Sequence, residues 1–416
     1  MKLPGKKSLI LIVLLMIVAS CALIKGATPV TINYANWQFL EPGRGAVLQG
    51  FFTSFMKENP QFKVESVSIS NSAYVNALTT QFEAGAGPDV FFVQDAVLAQ
   101  WINRGYLKQL DDMFDFAAYK DELPPIQKFG QRNGNNFAIL YEGFAYGALL
   151  YNKAILAKAG VQVPKTTSQL LAASDAVQKA TGKTGLIFPT DYSSVGYSCW
   201  GASMIWNGFG ARVVTNGKFT VNESKFIKAM EFLRKIYQLK SHPAGMPFGL
   251  QRQQFVAGDA AFVIDGSYWP STLKAANPNT FKDLGVAPLP FPAKNVVFET
   301  NWYGVNAKLP KEKLEATSTL LAYLYSKPTI IKWAIEGGVP GLNSTYKVMS
   351  EAYPWFKVYA ATVKYGVPGP FEGYEQEAPE IEDMIANALG SCIPGRVPVK
   401  EALAKLQADL EKRFAK

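Results

Sequence analysis

The chain has 416 residues, of which 48% are hydrophobic and 18% charged, enough apolar material for two or three domains with substantial cores. That balance excludes disorder and collagen-like repeats, three cysteines exclude a disulfide-stapled miniprotein, and a single histidine, His242, argues against multi-histidine zinc and di-iron sites. The formal charge of +9 includes Lys2, Lys6 and Lys7, and no later run of lysines or arginines reads as a nucleic-acid stripe.

Met1 to Lys7 is short and basic, and Ser8 to Ala19 is almost purely apolar. This is the layout of a secretory signal, too short to span a bilayer comfortably. It closes in Val18-Ala19-Ser20-Cys21, which looks like a bacterial lipobox, so residues 1–21 are read as a signal segment with Cys21 as the lipidation site. Ordinary cleavage near Gly26-Ala27, discarding Cys21, is the alternative. No later stretch reaches the ~18 uninterrupted apolar residues of a membrane helix. The expected protein is exported, periplasmic or outer-surface, and touches the membrane only through an N-terminal lipid. Cys199 and Cys392 remain, and whether they pair is left open.

The mature chain opens on a strand, where Val30, Ile32 and Tyr34 alternate, followed by Asn36-Trp37-Gln38 at its carboxyl end. A helix is predicted from about Ala46 to Asn59, with Val47, Phe51 and Phe55 at i, i+4 and i+8 and Pro60 as its stop. Strand Phe62–Ile69, helix Ala73–Glu83, the punctuation Gly85-Ala-Gly-Pro-Asp and a buried strand Val90–Val93 come next. Strand, helix, strand, helix, strand signals a parallel sheet with covering helices. Ligands of open sheets sit at the carboxyl ends of the strands, where Trp37, Gln94 and Asp95 lie. Beyond residue 150, helices are predicted at Ala154–Gly160, Thr167–Thr181 and Glu223–Leu239, a short strand at Leu186–Pro189, and an amphipathic helix over Val399–Lys416. With no low-complexity linker and no internal repeat, two lobes joined by several short crossings are expected.

Enzyme templates fail. Gly182-Lys183-Thr184 has Val177 where a phosphate loop needs glycine, and Gly85-Ala-Gly87 precedes a strand instead of following one. Gly196-Tyr-Ser198-Cys-Trp200 has tryptophan where a nucleophile elbow needs its second glycine. His242, in Ser-His-Pro, is read as an exposed cap, and Asp111-Asp112 as a helix start rather than a catalytic pair.

Other motifs accumulate in order. They are Gly87-Pro88-Asp89-Val90 with Trp101-Ile-Asn-Arg-Gly105-Tyr-Leu107; Leu150-Tyr151-Asn152-Lys153 with Ala159-Gly160 and Pro164; Phe255-Val-Ala-Gly258 through Ala261, Gly266 and Trp269; Gly338-Val-Pro340; and the Glu401-Ala402-Leu403 helix. Together they resemble the extracellular solute-binding proteins of bacterial ABC importers, in the carbohydrate-binding group that includes maltose-binding protein. Departures are Phe262 for the usual methionine, Pro164-Lys-Thr-Thr-Ser-Gln without the group's aromatic and acid, no proline near Tyr141, and Ala145 where some relatives carry a ligand-binding acid.

The resemblance implies an α/β fold of two lobes, each a mostly parallel sheet flanked by helices, with a ligand cleft between them. Residues 28–142 plus 289–327 would form the N-terminal lobe, and 143–288 plus 328–416 the C-terminal lobe. It implies a non-enzymatic protein without cofactor or metal that captures a mono- to oligosaccharide by lobe closure and passes it to permease subunits; a monomer is expected, since nothing in the sequence suggests an obligate oligomer. Sugar faces need flat aromatic surfaces, and their hydroxyls need carboxylates and amides. By family position Tyr268 or Trp269 would stack on the ligand, Trp302 would form a second platform, and Trp37 and Asp95 would come from the first lobe. Gln94, Glu142 and Trp200 are further candidates, and Asp265 either contacts ligand or caps the turn before Gly266. The alternatives are the same fold binding a polyamine or organic anion, with Arg44, Arg212 or Arg396 serving an anion, and a secreted glycoside hydrolase.

Overall fold

The computed structural model describes residues 28–41, 43–192, 197–240, 242–247, 249–336, 339–368 and 371–414, with backbone only at 125, 197–200 and 368. Cys21 lies outside the described residues.

Ten strands build two main sheets: β1 Val30–Ala35, β2 Phe62–Val67, β3 Val90–Gln94, β4 Ala138–Tyr146, β5 Ala148–Asn152, β6 Thr184–Ile187, β7 Ala260–Asp265, β8 Leu284–Pro288, β9 Val296–Val305 and β10 Gly366–Pro368. The first sheet runs β10-β9-β3-β1-β2, with β4 also paired to β9. β1 is parallel to β2 and β3, and β9 is antiparallel to β3 and β4. Val90 to Val93 are buried without interruption, the pattern of a strand covered on both faces. The covering helices include Arg44–Glu58, which buries Leu48, Phe51, Phe52 and Phe55 and ends before Pro60, and Asn71–Glu83. Two outlying hairpins turn on Asn-Gly pairs, Asn133-Gly134 and Asn216-Gly217. All four residues have positive φ, as a tight two-residue hairpin turn requires.

The second sheet runs β8-β5-β7-β6 and is less parallel than expected. Only β6–β7 is a parallel pair, while β5 is antiparallel to both neighbours. The reason is topological, because the chain enters this lobe on β5 and leaves it on β8. Entry and exit strands that lie side by side run in opposite directions.

Each sheet carries its own core. One holds Ile32, Phe91, Trp101, Tyr303 and Trp333; the other holds Leu150, Leu186, Phe262, Leu389 and Leu403. Among the described residues, three segments cross between them. Ala138–Tyr141 of β4 pack in the first core and Phe144–Tyr146 in the second, and β9 crosses back, from Val296–Phe298 to Trp302–Val305. The third crossing follows helix Lys327–Glu336 and lies against β4, where Gly143 N–H donates to Val339 O (3.1 Å) and Gly341 N–H to Tyr141 O (2.8 Å). Ile330 and Trp333 of that helix pack in the first core and Ala334 in the second.

Two further expectations are corrected. His242 is 5% exposed, with its ring against the backbone of Phe188, because the turn after helix Ser224–Tyr237 folds inward over β6. Asp111 lies in a turn, not at a helix start. Its carboxylate accepts from Asn136 N–H (3.0 Å) and Asn136 Nδ2 (2.7 Å), pinning the hairpin that precedes β4.

Candidate ligand-binding cleft

β1 ends at Ala35, and Asn36 caps the short helix Trp37–Leu40 by accepting from Gln38 N–H at 2.9 Å. That turn directs Gln38 inward, where Nε2 donates to Glu142 Oε2 at 2.5 Å. Glu142 is fully buried on β4 and receives a second donor from Arg44, which opens helix Arg44–Glu58 and also pairs with Glu41 at 2.9 Å. Burial pushes the Glu142 carboxyl up, while Arg44 and then Gln38 pull it back down. Gln94 and Asn301 stand in register with one another, and Asn301 with Glu142, so the amides and the carboxylate share a sheet face.

The Arg44 guanidinium lies 5.3 Å from the ring centre of Trp333, 5.4 Å from Tyr268 and 5.6 Å from Phe144. Tyr268 comes from the other lobe, on the turn after β7. A side chain at Gly266 would meet the rings of Tyr146 and Tyr268 at 2.7 and 2.8 Å, so only glycine lets them close over the turn. Asp265, buried, accepts from Gly266 N–H (2.7 Å) and from Arg252 Nε and a terminal nitrogen (2.7 and 2.8 Å). It therefore caps the turn and forms a bidentate ion pair at once. Arg252 also donates to the Tyr268 hydroxyl. Trp269 sits behind this cluster, packed edge-on to Phe255 in the second core.

At the opposite edge, Gln94 and Asp95 are half-buried at the end of β3, where Asp95 opens helix Asp95–Asn103 and accepts from Thr300 N–H at 3.2 Å. Burial, then the neighbouring Glu299, pushes Asp95 up to about 8. Glu382, on helix Ala378–Cys392 of the second lobe, is also raised to about 8, by burial and then by Asp95 and Asp383. Glu299 accepts from the Tyr146 hydroxyl at 2.7 Å. Trp302 is fully buried and donates Nε1–H to Thr300 Oγ1 at 3.0 Å. With Asp95, Thr300 and Glu375 it lines a narrow cavity of about 20 Å³, the space of one water.

The expected residues thus form two groups. Glu142, Asp265 and Tyr268 meet around Arg44 and Arg252; Asp95 and Trp302 meet around the small cavity. Adjacent residues of a strand point to opposite faces, so Trp302 lies on the face away from Asn301, which is in register with Gln94 and Glu142. Trp37, 4% exposed, is packed edge-on against Tyr74 and Phe92. Trp200 belongs to helix Tyr197–Gly208, but its side chain and that of Cys199 lie outside the described residues. Sequence reasoning missed Gln38, Arg252 and Asn301 and considered Arg44 only for an anion. Trp333 packs in the first core and also covers Arg44. Arg44 Nε, Asn301 Oδ1 and Ser267 Oγ are buried here without a hydrogen-bond partner among the described residues. Among those residues, no group of His, Cys, Asp and Glu is arranged to hold a metal, and no helix is long and apolar enough to cross a membrane.

Two α/β lobes joined by crossing segments, with polar side chains and rings packed between them, form the architecture of a two-lobed binding protein. Residues 40–329 match the model of the bacterial extracellular solute-binding proteins, and the chain belongs to that family. It is 26% identical over 343 residues to YcjN of Escherichia coli K12, assigned to the periplasmic-binding proteins of ABC transporters, covering 78% of this chain and 76% of that one. Among solved structures, the GacH receptor of Streptomyces glaucescens, studied unliganded and with acarbose, superposes with a TM-score of 0.81 at 23% identity, covering 92% of this chain and 98% of that one. Maltose-bound MalE3 of T. maritima superposes with a TM-score of 0.82 at 22% identity, covering 92% and 100%.

Proposed function

We propose that this protein captures a carbohydrate in the cleft between its lobes and delivers it to an ABC-type permease, as a binding protein and not an enzyme. The observation that carries the reading is the cluster of Gln38, Glu142, Arg44 and Asn301 in one lobe and its crossing strands, beside the Tyr268 ring of the other. Amides and ion-paired groups exchange hydrogen bonds with hydroxyls, and a ring offers surface to the C–H face of a sugar. The similarity to GacH and MalE3, studied with acarbose and maltose, supports the same class of ligand. The organic-anion reading is disfavoured because Arg44 and Arg252 already hold carboxylates at bonding distance. Glu142 and Asp265 are in turn tied to arginines, not set as an acid and base across a bond.

Asp95, Gln94, Trp37, Trp200, Trp269 and Trp302 complete the proposed site, directly or by backing it. The moving units are taken as 28–142 with 289–333 and 143–288 with the C-terminal region beyond the third crossing. Export with a lipid on Cys21 and a monomeric state complete the reading; the lipobox-like Val18-Ala19-Ser20-Cys21 supports the anchor. Thermal-shift titration with maltose, maltotriose, polyols, uronates and polyamines tests the function. A ligand at a hundred times its dissociation constant adds about 2.7 kcal/mol of stability. A saturable shift with a neutral saccharide recovered unchanged is expected. A shift with polyamines alone, or cleavage of a glycoside, would overturn it, while a shift with uronates alone would keep the carbohydrate and make it acidic.

A further inference from the structure

The polar groups on the floor of the cleft are not all hydrogen-bonded within the protein. Gln38 and Glu142 are: Gln38 Nε2 donates to Glu142, Gln38 Oε1 accepts from Asn36 Nδ2 at 3.3 Å, and Glu142 also receives Arg44. The terminal nitrogens of Arg44 are engaged too, one with Glu41 and one with Glu142. Two groups beside that carboxylate differ. Asn301 is 1% exposed, and its Oδ1 has no partner among the described residues; the Nε–H of Arg44, on a side chain 3% exposed, has none either. Asn301 owes its place to a β-bulge. It pairs with Glu142 while Trp302 pairs with Leu140, so β4 carries Tyr141 as an extra residue opposite β9. At that bulge Asn301 stands directly across from Glu142, on the face that holds Arg44, and Trp302 turns to the other face. A buried acceptor from a crossing strand and a buried donor from the helix Arg44–Glu58 thus flank one carboxylate.

We propose that Asn301 Oδ1 and Arg44 Nε–H read the ligand, that they read a free hydroxyl, and that Asn301 determines specificity for it. This rests on the cleft being the carbohydrate site, as proposed above, and names the group that site selects. A hydroxyl donates and accepts at once, so one hydroxyl, or two neighbours on one sugar, answers both groups. An ammonium only donates and a carboxylate only accepts. A polyamine would therefore leave Arg44 Nε–H unanswered, and an organic anion would leave Asn301 Oδ1 so. The Tyr268 ring lies 5.4 Å from the same guanidinium, so the hydroxyl is read beside an aromatic surface. A site that bonds a hydroxyl rejects the analogue lacking it, because its own buried groups are then left unpaired.

Calorimetric titration of the full chain with maltose, D-glucose and D-mannitol, each beside its monodeoxy derivatives, tests this. For a compound that binds, one deoxygenation should weaken binding about five- to 150-fold. Asn301→Leu, close in volume but without hydrogen-bonding atoms, should weaken the parent compound by a similar factor. It should also bind the parent and that derivative alike, a loss of discrimination that a merely structural role for Asn301 would not produce. Without ligand its Tm should not fall, because the oxygen it removes bonds nothing in the protein. Monodeoxy derivatives that all bind the wild-type protein as the parent does overturn the proposal without any variant, as does displacement of the bound compound by putrescine or succinate. If none of the three compounds binds the wild-type protein, it is the carbohydrate reading that fails. The ligand-free Tm still decides the open acceptor, since a clear loss in Asn301→Leu would show that the fold itself uses it and would overturn the inference.

Discussion

Around Arg44 and Arg252 the buried charges come in opposite pairs, each carboxylate within bonding distance of a guanidinium and further held by an amide or a backbone N–H. Around Asp95 the arrangement is reversed: Asp95, Glu299 and Glu382 approach one another from the start of helix Asp95–Asn103, from β9 and from the helix Ala378–Cys392. Both regions join the two lobes, yet they store electrostatic energy with opposite sign. A matched pair is costly to break because the partner left behind has no water to replace what it lost. A gathering of like charges is relieved when one of them takes up a proton.

The largest effect should come from breaking the pair. Arg44→Ala leaves Glu142 fully buried with only the Gln38 amide, and removal of one partner of a buried pair costs about 3–5 kcal/mol. Chemical denaturation monitored by tryptophan fluorescence should show it, and a loss below about 1 kcal/mol would mean that Glu142 accepts a proton and sheds its charge cheaply.

A smaller effect, opposite in sign, is expected at the acidic edge. Asp95 and Glu382 have native values of about 8, above their unfolded values, so between the unfolded value and about 8 the native state holds more protons. Stability from this edge is greatest at low pH and falls as pH rises toward 8, by at most about 1.4 kcal/mol per pH unit for each proton involved. Asp95→Asn should flatten the dependence of Tm on pH between 6.5 and 8 and raise Tm at pH 8. An unchanged slope would assign the dependence elsewhere.

The smallest effect sharpens the comparison from outside it. Burial holds the His242 imidazole below its usual value, so the unfolded chain binds its proton more readily. Its contribution is present above the unfolded value near 6.5 and is lost as pH falls below it. In His242→Gln the decline in stability from pH 6.5 to 5 should be shallower than in the wild-type protein, measured by urea midpoints. A wild-type midpoint that does not move in that interval would contradict the buried, neutral ring.

Much of the first lobe was legible because its elements rest on local pattern. The apolar alternation of Val30, Ile32 and Tyr34, the spacing of Val47, Phe51 and Phe55 and the stop at Pro60 each correspond to an observed strand or helix. The site was legible only in part. Asp265 and Tyr268 were selected from a motif and Glu142 as a further candidate, and the three meet around two arginines; Trp269 and Trp302 were selected by family position and are packed in the cores. A tryptophan near a strand end looks the same in sequence whether it faces the cleft or the sheet behind it. One residue of register decides between them, as Asn301 and Trp302 illustrate on β9.

By itself the sequence determined the α/β class, the two-lobed order of elements and the family, because these depend on periodicity, punctuation and motif order along the chain. Tertiary structure alone decided the mixed direction of the second sheet, the inward turn of His242 and the partnership of Arg44 with Glu142, nearly a hundred residues away, and with Tyr268 of the other lobe. These are contacts between distant segments. They are fixed by where the crossing segments bring the two cores together, and no local spacing encodes that distance.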